Sequence, residues 1–143
     1  RITGVGINYV DKFVWHGVPM DCRPGQLLRA ESKYIVPQVY GLEDLWHSHT
    51  GAFIRQNERT KRLVNVNVDC LDETAIEGSR RVVTIATVVT DMLNQPNYES
   101  TSVTKDTAAD VFDVHMQQLH SFAKIVFGNI INDQMSKRIA LAE

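Results

Sequence analysis

Two histidines one residue apart, His47 and His49, are the sharpest chemical pairing in this chain. In an extended strand, residues two apart project to the same face, so both imidazoles can reach one metal ion. The same spacing also suits a structural, hydrogen-bonding pair. A metal motif of this type continues with a glutamate four or five residues after the second histidine. Phe53 and Ile54 occupy those places, and no second half-motif follows. Ser48 points to the opposite face and makes a poor Ser–His pair.

His115 is the other histidine of interest. On a helical wheel it falls in the middle of an apolar arc and should face a sheet. One reading is a core histidine held by a hydrogen bond. The other has it lining a pocket between helix and sheet with His47 or His49, as a base or a ligand. His120 lies at the edge of the polar wedge, where solvent is expected. Asn65, Asn67 and Asp69 alternate with valines, so they share one strand face and either line a polar cleft or meet solvent. Cys22 and Cys70 have neither metal nor redox spacing. The chain has no phosphate loop, dinucleotide fingerprint or paired-carboxylate motif, and no cofactor is expected.

These residues need elements to hold them. Residues 2–15 alternate, with Val5, Ile7, Tyr9 and Phe13 on one side and Gly4, Gly6 and Asn8 on the other, which predicts a strand whose glycine face meets a close backbone or helix. Residues 16–26 read as a Pro- and Gly-rich loop, and residues 26–33 as a short helix. Residues 46–56 and 60–71 predict strands joined as an antiparallel hairpin. Residues 73–79 read as a turn, and residues 80–92 as a central strand covered on both faces. Residues 94–104 form a polar connector.

A closing helix is expected from about Asp106 to Ala140. Val111, Val114, Leu119, Phe122, Ile125, Val126 and Ile130 crowd one side of it. Phe112, Met116, Ala123 and Phe127 widen the apolar arc to roughly 220°, against the stripe nearer 100° of an ordinary surface helix. Gly128 and Asn132 are the places for a break. One sheet cannot cover so wide an arc.

The 143 residues are 43% hydrophobic and 22% charged, with a net charge of −2, and suit a single α+β domain over 1–143. Lys and Arg are scattered, so the basic stripe of a nucleic-acid binder is missing. No apolar run approaches the roughly 20 residues of a membrane helix. Two cysteines make a reduced, cytoplasmic setting the default. The start at Arg1, with no initiator Met and a strand already under way, suggests a piece of a longer protein.

Three stretches, Arg1–Phe13, Leu45–Phe53 and Leu119–Met135, together resemble the C-terminal part of a sporadically distributed prokaryotic family without an assigned function. That family shows an Arg-x-x-Gly-x-x-Tyr-type strand and a final helix with a spaced His and Phe in its core. This chain departs from it at Asn8, where arginine is more usual, and at Gly128 in the last helix. The resemblance implies a longer parent protein and no catalytic residues.

The fold expected is therefore an antiparallel sheet of about four strands with the long C-terminal helix across one face. The leading function is a non-enzymatic interaction module whose partner is its own N-terminal region or a second copy in a homodimer. The alternative is a small-ligand or metal pocket built by His47, His49 and His115, with Asn65 and Asn67 as further polar groups. An uncharacterised hydrolase is a weaker third reading, because no nucleophile–base pair is evident.

Overall fold

In a computed structural model the chain is described over residues 3–58, 60–93 and 105–139, with side chains in the last segment from residue 109. The expected connector at 94–104 lies outside these residues. Four strands, β1 (Gly4–Val14), β2 (Trp46–Arg55), β3 (Thr60–Ala75) and β4 (Gly78–Leu93), form one antiparallel sheet in the order β1-β4-β3-β2. Two helices follow, α1 (Lys105–Ile130) and α2 (Asp133–Arg138). The α+β architecture is the one expected.

Period-2 alternation decides what each face carries. Val64, Val66, Val68 and Cys70 of β3 lie in register with Val89, Thr87, Ile85 and Val83 of β4, and all eight are buried. Val5, Ile7, Tyr9 and Phe13 extend this face across β1. Leu119, Ala123, Val126 and Ile130 of α1 close over it. The chain between β1 and β2 covers the rest, burying Leu27, Leu28, Tyr34, Ile35 and Val39. Its path is set by prolines. Three 3-10 turns, at Pro19–Asp21, Pro24–Gln26 and Pro37–Gly41, each begin at a proline whose fixed φ suits the first position of a turn.

Several expectations change in three dimensions. Residues 26–33 make turns and no helix. The hairpin of β3 and β4 runs further than the composition suggests, with Ala75 still paired to Gly78. Gly78 has φ +117°, a conformation that side chains with a Cβ rarely adopt. The glycine side of β1 is the open side of the sheet, and α1 lies on the opposite one. An added Cβ at Gly6 would sit 2.6 Å from Thr90 Oγ1, so the close neighbour is a cross-strand side chain. β4 is central, but only one of its faces is covered. Thr84, Ala86, Val88 and Thr90 on the other face are half-buried by neighbouring strands.

The C-terminal rod is interrupted. Leu28 and Ile131 form a β-bridge, Arg29 N–H donates to Ile130 O, and Asn132 N–H donates to Leu27 O. The chain between β1 and β2 thus captures the end of α1. Asn132 Oδ1 then accepts from Met135 N and starts α2. Gly128 stays inside α1.

Candidate functional site

His47 and His49 sit on β2 and face the open side of the sheet. Register places His47 opposite Asp69, His49 opposite Asn67 and Gly51 opposite Asn65. His47 Nδ1 lies 2.5 Å from Asp69 Oδ1, and Asn67 Nδ2 donates to Asp69 Oδ2 at 2.9 Å. The imidazole centroids are 6.4 Å apart and the rings tilted by 72°. Asn65 lies over Gly51, where an added Cβ would come within 2.6 Å of its Oδ1. The outcome is a hydrogen-bonded polar ladder open to solvent. Among the described residues, no three His, Cys, Asp or Glu side chains group as metal ligands would.

His115 does not join them. It projects from α1 to the covered face, so the three-histidine pocket is not assembled. Its partners are residues that the sequence reading passed over. Arg62 Nε and Nη2 fork onto Asp91 at 2.7 and 2.9 Å, and His115 Nδ1 lies 2.9 Å from the same carboxylate. The Phe122 ring stacks 4.9 Å from the Arg62 guanidinium. Arg62 is 5% exposed and Asp91 1%. Burial pushes the Asp91 carboxyl up, but hydrogen bonds from Arg62 and His115 outweigh it and hold the carboxyl below its usual value. With Asp91 ionised, His115 Nδ1 is the donor in this contact. A base oriented in this way needs a hydroxyl or thiol to act on. Among the described residues, none hydrogen-bonds to His115. The signal in the sequence was phase: Arg62 and Asp91 occupy inward positions of otherwise apolar strands.

Arg81 repeats the pattern at the other end of the sheet, gripping Asp72 at 2.6 Å and Asp44 at 2.9 Å while nearly fully buried. These bonds to Asp72 and Asp44 raise its already high pKa. Beside it the two cysteines meet. Cys22 and Cys70, remote in sequence, lie beside each other in the core as free thiols. Burial is the main reason that the Cys70 thiol is pushed up to about 12. Neither is a nucleophile in this setting.

His120, expected in solvent, is exposed but hydrogen-bonded through Nδ1 to the Tyr9 hydroxyl. The two border a hollow of about 190 Å³ between β1 and α1. A larger cleft, of about 500 Å³, opens where the end of β1, the following chain and α2 meet, and none of His47, His49, His115, Asn65 and Asn67 lines it. On the outer side of α1, Val114 and Ile125 remain 54% and 68% exposed. No protein-family model matches this chain, and no curated protein or solved structure matches it.

Proposed function

We propose that the protein is a non-enzymatic interaction module that assembles with a second copy of itself through the outer shoulder of α1. The observation that carries this reading is the exposure of Val114 and Ile125 on a helix whose opposite side packs on the sheet through Leu119, Ala123, Val126 and Ile130. The two residues are about three turns apart, so they fall in one stripe. Gln118 and Ser121 lie between them, and the stripe carries no charge. An uncharged apolar stripe suits an isologous contact, because a two-fold axis sets the stripe against its own copy and no like charges are forced together. Antiparallel packing of two α1 helices would set Val114 of one against Ile125 of the other. Asp113 and Lys124 flank the stripe and would approach each other across it.

The resemblance to a longer prokaryotic family supports a rival occupant, a preceding region of the parent protein. Sedimentation velocity over a range of concentrations separates the two. A dimer that grows with concentration is expected, and Ile125→Glu should return it to monomer without lowering the melting temperature. A chain that stays monomeric at every concentration overturns self-assembly through this face. A dimer that is indifferent to Ile125→Glu places the contact elsewhere and also overturns it.

A further inference from the structure

The cleft beside α2 has a composition that a merely imperfect surface does not require. Its floor is apolar and fixed: Leu27, Val83 and Cys22 are buried, and Phe13 stacks on Phe127 with centroids 6.4 Å apart. One wall is the Trp15 indole, held by a hydrogen bond from Nε1 to Val18 O at 2.9 Å. Gly17 makes that pose possible, since an added Cβ would meet Nε1 at 2.8 Å. The indole is thus positioned before anything arrives.

The charged lining residues have one sign. Lys12, Arg23 and Arg138 line the cleft with His16, and no Asp or Glu is among the lining residues, although the whole chain has a net charge of −2. Lys12 is already engaged by Glu73 at 2.7 Å. Among the described residues Arg23 has only Glu43, at 3.9 Å and largely in water. Among the described residues Arg138 has no acidic partner. It stands in the last turn of α2, whose start is fixed by the Asn132 cap and the Leu28–Ile131 bridge. Two guanidinium groups that lack a close carboxylate, above an apolar floor, match an amphiphilic anion. The volume falls within the range of small-ligand sites.

We propose that this cleft binds a small organic anion, with a flat apolar body against Trp15 and Phe13 and its acidic group between Arg23 and Arg138. This site is separate from the α1 shoulder, so its fate and that of the self-assembly reading are independent.

The test uses 8-anilinonaphthalene-1-sulfonate, an aromatic anion, beside its uncharged relative N-phenyl-1-naphthylamine. Saturable binding of the anion at one site is expected, with energy transfer from tryptophan that falls in Trp15→Phe. Arg138→Gln, alone and with Arg23→Gln, should weaken the anion on the order of tenfold, as expected for loss of a charge-assisted contact. The uncharged dye should be indifferent to both changes. Ile125→Ser, which removes the other apolar patch, should leave the anion's affinity unchanged. Equal anion affinity in wild type and arginine variants, dependence on Ile125 instead, or no saturable binding in the low-millimolar range would each overturn the assignment. Both arginines are surface groups, and a thermal melt of each variant separates loss of binding from loss of fold.

Discussion

At Asp91 a guanidinium and an imidazole converge on one carboxylate that is almost wholly out of water. Removing the shared carboxylate from this knot leaves Arg62 buried and unpaired, which typically costs about 3–5 kcal/mol. Asp91→Asn should show that loss in urea unfolding at neutral pH. The pH dependence follows from the direction of the shift. The folded carboxyl titrates below the unfolded one, so its stabilisation is present above the unfolded value of about 4 and is lost as pH falls through the folded value. Wild type should therefore lose stability on acidification below about pH 4, and Asp91→Asn should lose less over that limb. An acid limb identical in the two proteins would mean that the knot contributes nothing through ionisation.

Among the elements, the C-terminal segment is where local propensity and tertiary capture disagree. Gly128 is the weaker helix former, yet α1 passes through it and stops at Ile130. Helix ends follow from where backbone groups find better partners. Here the partners are Leu27 and Arg29, which take the hydrogen bonds of Asn132 N–H and Ile130 O. Gly128 is left as a cost without a benefit. A Cβ there would meet nothing within 4 Å, so Gly128→Ala should stabilise the protein by about 0.5–1 kcal/mol, raising the melting temperature by roughly 2–4 °C. Asn132→Ala should act oppositely, by about 1 kcal/mol, because it deprives Met135 N of its acceptor and Gly25 O of the Asn132 Nδ2 donor. If Gly128→Ala proves destabilising in the same melts, the residue has a packing role that its open surroundings do not reveal.

For the molecule as a whole, the consequence of the order β1-β4-β3-β2 is a protected centre between two edge strands, β1 and β2. β3 is paired on both sides over residues 61–70 and β4 over residues 82–92, and the helix and the β1–β2 chain seal one of their faces. Amide hydrogen exchange should be slowest over 64–68 and 85–89 and faster along β1 and β2, whose outer backbone groups lack a strand partner among the described residues. The pattern also reports on assembly. Protection that spreads along β2 as concentration rises would mean that copies add strand to strand, in place of helix to helix.

Much of this was legible because it is local. The alternation of Val64, Val66 and Val68 with Asn65 and Asn67, the β-branched run after Arg80 and the apolar repeat after Val111 each follow from a period set by the backbone itself. The width of the apolar arc likewise announced that the sheet would leave part of α1 bare, as Val114 and Ile125 are. What no local pattern carries is the side on which a face is covered. The pairing of β1 with β4 and the route of residues 15–45 sent α1 to one face of the sheet. That choice parted His115 from His47 and His49, joined it to Arg62 and Asp91, and brought Cys22 to Cys70. It also built the cleft beside α2 from pieces of chain more than a hundred residues apart. Periodicity records which residues share a face, but contacts between distant segments depend on how faces stack, and only the folded chain contains that information.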